Sequence, residues 1–203
     1  MAARERTRNR KAREEALVRA ATRLFASRGY DSTTTRDIAA SAGCAEGLIH
    51  RYFKGKAGLL LAIVQSRVSR EVSDLSDKLR PASDFRAELL RLVNWELDRM
   101  WKDRDFLNIA IARAMQEPSV GHLISAIGPQ RRAEVIAKRL RHFDEGRQLG
   151  TEELEAICHF VGAAGFVFGY MRPVVLRQSR KNAKKTALGL TRLLLRSFEN
   201  GHS

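Results

Sequence analysis

The sequence has little cysteine, little proline and no long apolar run. Only two cysteines, Cys44 and Cys158, occur among 203 residues, and neither has a partner at the spacing of a metal site. We therefore expect reduced thiols, no metal and no cofactor. No apolar run approaches the roughly 20 residues that a membrane span needs, and the charged N-terminus lacks the apolar stretch of a secretory signal. These absences predict a cytoplasmic protein with no membrane partner.

Acidic residues are also scarce, since 23 Asp and Glu stand against 37 Lys and Arg, a formal net charge of +14. A charge of this size favours a polyanionic partner, and both nucleic acid and an anionic membrane meet that description. Residues 1–56 carry thirteen basic and six acidic residues. Half of the excess positive charge therefore lies in about a quarter of the chain.

Residues 34–53, TTRDIAASAGCAEGLIHRYF, have the pattern of two short helices on either side of a glycine turn. In the first helix, Ile38 and Ala42 begin one apolar stripe. Thr34 is a candidate N-cap, and Asp37 stands where a capping box needs its acceptor. Gly43 ends the helix where a left-handed residue is wanted.

The second helix is predicted to begin near Ala45, with Ile49 and Phe53 four residues apart on its inner side. Its opposite face is polar or open: Glu46, Gly47, His50, Arg51 and Lys54. Two short helices around a glycine turn, with a polar outer face on the second, form the helix-turn-helix pattern of DNA-binding proteins.

A wider set of residues agrees with one family at many spaced positions: Ala21, Leu24, Phe25, Gly29, Thr34, Thr35, Ile38, Ala39, Ala42, Gly43, Gly47, Ile49, Tyr52, Phe53, Lys56, Leu59 and Leu60. With them, residues 17–61 resemble the DNA-binding domain of the TetR family of bacterial transcriptional regulators. The resemblance implies a homodimer that binds a palindromic DNA operator, a small-molecule effector, and most often repression. His50 and Leu48 depart from the Tyr and the small hydroxyl residue that are usual in the family.

The candidate DNA contacts combine side-chain chemistry with that resemblance. Arg36 can reach a guanine edge or a phosphate, Glu46 can accept from a cytosine amino group, and Gly47 permits close approach. The resemblance assigns Thr35, Tyr52 and Lys56 to the DNA backbone. The full predicted set is Thr35, Arg36, Ala45, Glu46, Gly47, His50, Arg51, Tyr52 and Lys56.

The fold class predicted from periodicity is all-α, with an N-terminal three-helix DNA-binding domain and a larger helical domain for ligand binding and dimerisation. The boundaries are a flexible basic arm over 1–13, the helix-turn-helix domain over 14–56 and the regulatory domain over 57–203. The arm can contact phosphates or the minor groove, or it can be a solvated tail. Later helices are predicted near 59–80, 84–102, 105–116, 129–146, 152–180 and 182–200, with a break at 117–119 and a short helical turn near 120–126.

The last two long helices are the predicted dimer surface, because each has one apolar stripe and two from each subunit would form a four-helix interface. The alternative is that both stripes face the monomer's own core. The residues assigned to the interface are Ile157, Val161, Gly165, Phe168, Leu190, Leu194 and Phe198.

An effector pocket is predicted where large adaptable side chains concentrate in the second domain. Glu96 and Arg113 fall on apolar stripes, so they pair with each other, meet a ligand, or take part in ordinary ion pairs or face solvent. The assigned pocket residues are Trp95, Glu96, Met100, Phe106, Arg113, Phe143, Phe166 and Tyr170.

These features predict a ligand-responsive DNA-binding transcriptional regulator rather than an enzyme. Two other classes stay open. The high charge would also suit a sequence-neutral DNA-coating protein. An all-α enzyme would need converging titratable groups, for which only Glu96 and Arg113 are available.

Overall fold

The computed structural model describes residues 2–200, except for the side chains of 2–6, 119, 123, 126–128 and 197–200. The predicted all-α fold is confirmed, since the described part of the chain contains helices and no strand. The helices are α1 (Ala2–Arg28), α2 (Thr35–Ala42), α3 (Gly47–Phe53), α4 (Lys56–Ser73), α5 (Phe85–Lys102), α6 (Arg104–Gln116), α7 (Pro118–Leu140), α8 (Asp144–Gln148), α9 (Thr151–Ala164) and α10 (Arg180–Asn200). π-Helical segments follow α4 at Asp74–Lys78 and α9 at Gly165–Val175.

The chain forms two compact units that do not follow the predicted boundary at residue 56. The first unit contains residues 1–70 and 105–128, and the second contains residues 71–104 and 129–203. In the first unit, α1 to α4 enclose a core that includes Leu17, Phe25 and Ile49. Phe106 and Ile109 of α6 also pack against this core. Periodicity showed that α6 is amphipathic, but it could not show which core the apolar face would meet.

Residues 2–13, predicted as a flexible arm, continue α1 as helix. This segment is rich in Ala, Arg, Glu and Lys, all strong helix formers. An ion pair between Arg10 and Glu14, at 2.7 Å and one helical turn apart, adds modest support. Local propensity thus extends the helix beyond the residues that pack on the core.

The predicted break near residue 117 is present, but the predicted helix start at Pro129 is wrong. Helix α7 begins at Pro118, where the missing proline N–H costs nothing, and runs through Pro129 to Leu140. A proline inside a helix removes one hydrogen bond and disfavours the helix without necessarily ending it. Residues 144–148 then form the separate helix α8 rather than the end of α7.

The core of the second unit surrounds α5, whose Leu89, Leu92 and Val93 are fully buried. An ion pair lies at its edge, where Arg139 of α7 donates to the buried carboxylate of Glu88 at 2.6 Å. Arg139 also donates to the carbonyl oxygens of Leu75 and Leu79, at 2.9 and 2.7 Å. One guanidinium therefore ties the π-helical turn after α4 to α5 and α7.

Much of the predicted dimer stripe belongs to the core of the monomer. Ile157, Val161 and Gly165 are buried, and a Cβ at Gly165 would lie 2.2 Å from Cγ of Glu96. Gly165 thus permits close approach to α5 of the same chain, not to a second subunit. Phe168 and Leu194 are partly buried against the same core, Leu190 is exposed, and the side chain of Phe198 lies outside the described residues.

Residues Thr151–Val175 are long and apolar enough to cross a membrane, by length and composition alone, which contradicts the expectation that no such run is present. The core helix of a soluble protein passes the same test. Leu154, Ile157 and Val161 of this stretch are buried in the second unit's core. Burial on one side by α5, together with an apolar outer face, explains the composition.

Candidate nucleic-acid interface and effector cavity

Helix α2 begins with the capping box that the sequence predicted. The Thr34 hydroxyl accepts from the Asp37 backbone N–H at 3.1 Å, while the Asp37 carboxylate accepts from the Thr34 N–H at 3.0 Å and from its hydroxyl at 2.6 Å. These bonds hold the pKa of the Asp37 carboxyl below its ordinary value. The start of α2 is therefore defined by residues 34–37 alone.

The turn between α2 and α3 depends on Gly43 in the left-handed conformation, at φ 64° and ψ 34°. Its N–H reaches the carbonyl oxygens of Ala39 and Ala40, and the Cys44 N–H donates to Ala39 at 2.9 Å. These bonds satisfy the last carbonyls of α2 and turn the chain sharply.

Helix α3 is oriented by Ile49, whose side chain is fully buried. Leu48, Tyr52 and Phe53 are partly buried against the same core, so Leu48 packs inward. The opposite face is solvent-exposed, as the sequence predicted, and it carries Ala45, Glu46, Gly47, His50, Arg51 and Lys54. This face offers hydrogen-bond donors, an acceptor and a glycine without a side chain.

Two of the predicted DNA contacts bind each other. The Thr35 hydroxyl donates to the Glu46 carboxylate at 2.6 Å, joining the first residue of α2 to the residue before α3. Arg36 is exposed beside them. The hydrogen bond orients Glu46 and leaves its second oxygen without a hydrogen-bond partner among the described residues.

Two other predicted contacts lie against aromatic rings or cations. The guanidinium of Arg10 lies 5.2 Å from the centre of the Tyr52 ring. Lys56 places its ammonium 4.2 Å from the centre of the Tyr30 ring and 3.5 Å from the Asp31 carbonyl oxygen. Burial lowers the pKa of Lys56, with the Asp31 charge opposing the shift. Sequence reasoning did not identify Arg10 and Tyr30 as partners of these residues.

The comparisons with known proteins agree with this geometry. Residues 17–63, which hold α2, α3 and their supporting core, match the family model described as bacterial regulatory proteins, tetR family. Residues 17–63 thus form a domain of the TetR family. The matched segment contains the capping box, the glycine turn and the exposed face of α3.

Individual relatives extend the likeness beyond the matched domain. The uncharacterised HTH-type transcriptional regulator YvkB of Bacillus subtilis is 28% identical over 156 residues, which are 76% of this chain and 78% of that protein. A crystal structure of a TetR-family regulator from Mesorhizobium loti has a TM-score of 0.72 at 21% identity, covering 93% of this chain and 97% of that one. FadR of Bacillus subtilis, solved with stearoyl-CoA, has a TM-score of 0.61 at 15% identity and covers 87% and 96%.

The second unit contains a cavity of about 420 Å³. Three of the predicted pocket residues, Glu96, Met100 and Phe166, line it. The other lining residues are Pro129, Arg132, Ala133, Ile136, Cys158, His159, Gly162 and Ala163. Sequence reasoning missed Arg132, although a basic residue on a helix that also contributes Ile136 to the core was a visible signal.

The remaining predicted pocket residues lie elsewhere, because most of them pack in or against the cores of the two units. Trp95 and Phe143 pack against the core of the second unit, and Tyr170 is buried beside Phe166 with ring centres 5.6 Å apart. Phe106 packs in the first unit. None of these four is among the residues that line the described cavity.

Glu96 and Arg113 are not paired with each other. Glu96 accepts from Arg99, and Arg113 donates to Glu117 at 2.5 Å. Each charge thus finds a partner three or four residues away on its own helix or just beyond its end. Arg113 belongs to the first unit and contributes nothing to the cavity. Among the described residues, no three His, Cys, Asp or Glu side chains come together as metal ligands would.

Replacing Gly47 by Ala tests whether α3 approaches DNA closely. A Cβ at Gly47 meets no protein atom within 4 Å, and Ala favours a helix by up to ~1 kcal/mol over Gly. We expect unchanged or slightly higher thermal stability but about tenfold weaker binding to operator DNA, measured by fluorescence anisotropy. Gly121→Ala on α7, where a Cβ would meet only ordinary van der Waals neighbours at 3.6 and 3.7 Å, is the control. Equal DNA affinity for both variants would show that Gly47 is not at a close contact.

Proposed function

We propose that this protein is a ligand-responsive transcriptional repressor that binds a palindromic operator as a homodimer in the cytoplasm. The observation that carries the proposal is the exposed polar face of α3, held outward by the buried Ile49. The match of residues 17–63 to a family of bacterial regulatory proteins and the likeness to a transcriptional regulator support it. Repression follows if the bound dimer occupies the site that the transcription machinery needs.

Base recognition is proposed for the residues at the centre of the exposed face. Arg51 and His50 can donate to base edges, and Glu46 can accept from a cytosine amino group through the oxygen that Thr35 leaves open. Arg36, Tyr52 and Lys56 are proposed to contact the backbone through their side chains, since guanidinium, hydroxyl and ammonium groups suit phosphate oxygens. Thr35 donates its one hydroxyl proton to Glu46, so it is proposed to reach a phosphate through its backbone N–H at the start of α2. Ala45 and Gly47 have a small side chain or none, so they are proposed to let DNA approach closely between the base-contacting and the backbone-contacting residues.

Binding-site selection from random DNA tests the proposal. The wild-type protein should enrich one palindromic sequence, because two α3 helices about 34 Å apart can read successive major grooves. Arg51→Ala and Glu46→Ala should each relax the preference at particular positions, by about 1–3 kcal/mol per position. Lys185→Ala, which removes an exposed charge in the second unit, should leave the consensus unchanged.

Two results would contradict this assignment. If the wild-type protein enriches no sequence and binds random DNA as tightly at physiological salt, it coats DNA without sequence preference. If Arg51→Ala and Glu46→Ala both return the wild-type consensus, α3 does not read the bases.

The proposed dimer surface differs from the stripe predicted from the sequence. Large exposed apolar side chains lie on the segment that follows α9 and on α10, which pack against each other: Phe166, Val167, Leu190 and Leu193. Leu190 is 42% exposed and Leu193 58%. Clustered apolar exposure of this kind marks protein interfaces, and a second copy would cover it in the symmetric arrangement usual for homodimers.

Charge substitutions on this face test the dimer. Leu190→Asp combined with Leu193→Asp should convert the protein to a monomer at micromolar concentration, because two carboxylates would be buried without partners. Sedimentation equilibrium measures the mass, and operator affinity should fall at least tenfold. Met115→Asp is the control, since Met115 is 82% exposed in the first unit. A double variant that stays dimeric would place the interface elsewhere.

The effector response is proposed to arise in the cavity of the second unit. Its volume of about 420 Å³ lies within the range of small-molecule sites. FadR of Bacillus subtilis, which shares this fold, was solved with stearoyl-CoA. A ligand changes operator affinity only if it binds the DNA-competent and DNA-incompetent states with different affinities.

A further inference from the structure

The charged side chains at the cavity wall belong to a closed ion network. Arg99 donates two hydrogen bonds to Glu96 and one to Glu71 at 2.9 Å. Arg132 donates to the other oxygen of Glu71 at 2.7 Å. Each carboxylate oxygen thus has a guanidinium partner, and the four charges cancel.

This network is shielded from water, so its pairing is strong. The side chain of Glu96 is 1% exposed, that of Arg99 8%, and those of Glu71 and Arg132 13% and 15%. Burial disfavours the charged form of Arg99, but the charges of Glu96 and Glu71 outweigh it and raise the pKa of Arg99. The network therefore presents two oppositely charged but already neutralised groups, Glu96 and Arg132, to the cavity.

The rest of the cavity wall is mostly apolar. Met100, Ile136 and Phe166 line it. Burial raises the pKa of the Cys158 thiol to about 11, so this group is neutral at physiological pH. His159 is the remaining titratable side chain of the wall, and it is solvent-exposed.

We propose that the cavity binds an uncharged, mainly apolar small molecule; this rests on the proposed effector response. A carboxylate or ammonium ligand would find the buried charges of the wall, Glu96 and Arg132, already paired, and burying an unpaired charge costs several kcal/mol. An uncharged ligand pays no such penalty and gains from contact with the apolar wall.

A pair of dyes of similar size distinguishes the ligand classes: Nile red is uncharged and 1-anilinonaphthalene-8-sulfonate is anionic. We expect saturable Nile red fluorescence with the folded wild-type protein, and at least tenfold weaker binding of the anionic dye. Tighter binding of the anionic dye would overturn the proposal.

Filling the cavity locates the binding site. A Cβ at Gly162 meets no atom within 4 Å, so Gly162→Phe can place a ring in the cavity, and Gly162→Ala is the matched mild change. We expect Gly162→Phe to weaken Nile red binding at least tenfold and Gly162→Ala less than twofold, with both variants folded by thermal melting. Unchanged Nile red binding accompanied by loss of the dimer would show that a second copy occupies the cavity, and would overturn the proposal.

Releasing one charge tests the role of the network. Glu71→Gln removes the negative charge that pairs with Arg132, so the anionic dye should bind several-fold more tightly than to the wild type. Absence of any gain in a folded variant would show that Arg132 is not what excludes anions.

Operator binding separates this inference from the proposed function. If Nile red binds but does not change operator affinity, the uncharged ligand class is supported and the proposed effector response is contradicted. If only the anionic dye binds and it changes operator affinity, the effector response is supported and the uncharged ligand class is contradicted.

A different observation concerns Tyr30, whose ring is contacted by two cations of the first unit. The Lys56 ammonium is 4.2 Å and the Arg113 guanidinium 4.9 Å from the ring centre. Arg113 also lies 3.9 Å from the Asp31 carboxylate, while the Asp31 carbonyl oxygen accepts from Lys56 at 3.5 Å. The turn at residues 30–31 therefore contacts both side chains.

From these contacts we infer that Arg113 is a positioning residue for DNA binding, acting through Tyr30 and Asp31 on Lys56. This inference rests on the proposed phosphate contact of Lys56. Arg113 contacts both the ring and the carboxylate, so the surface on which the Lys56 side chain lies is preformed. A preformed side chain loses less conformational entropy when it meets a phosphate.

A double-mutant cycle tests the coupling. Lys56→Ala should weaken operator binding about tenfold and lower the slope of log affinity against log salt by about one. Arg113→Ala should weaken binding several-fold, and the double variant should be no weaker than Lys56→Ala alone. Arg113→Lys should restore most of the affinity.

Arg67→Ala is the control, because Arg67 makes a similar contact, 4.3 Å from the Phe106 ring centre, in the same unit. Its effect should add to that of Lys56→Ala. Additive effects of Arg113→Ala and Lys56→Ala would overturn the inference. No effect of Lys56→Ala would instead refute the proposed phosphate contact.

Discussion

The complete burial of Ile49 determines which face of α3 the first unit exposes to solvent. A buried Ile side chain contributes roughly 1.5–3 kcal/mol, and α3 has only seven residues with which to hold its orientation. Rotating α3 by one residue would expose Ile49 and bury His50, and each change would raise the free energy of the folded state. The polar face is therefore turned outward by the core behind it, and left-handed residues at Gly43 and Lys54 bound the helix.

Paired buried charges have the corresponding role in the second unit. Arg139 with Glu88, and the network of Glu71, Glu96, Arg99 and Arg132, connect the end of α4 and its π-helical turn with α5 and α7. Such pairs add little to stability compared with apolar packing, but removal of one partner costs ~3–5 kcal/mol. They define the arrangement of these helices, and by cancelling one another they also define the character of the cavity wall.

The exposed polar face of α3 could be predicted from the sequence because its determinants are local. The Thr34 capping box and the Gly43 turn act within four residues, and the inward positions of α3 follow from the helical period. The cavity could not be predicted equally well. Glu96 was recognised as a charge on an apolar stripe, and its partner Arg99 lies three residues further along the same helix, but the link through Glu71 to Arg132 joins residues 61 positions apart. Spacing along the chain carries no information about such distant pairs.

The sequence by itself determined the helical class, the ends of α2 and the outward face of α3, because capping, turn conformation and amphipathic period are properties of neighbouring residues. Only the tertiary structure decided which surface covers each apolar stripe. Ile157 and Val161 meet α5 of their own chain, whereas Leu190 and Leu193 meet solvent. α6 joins the N-terminal core although it follows α5 of the other unit in the chain. An apolar stripe requires burial, but its sequence does not specify the partner.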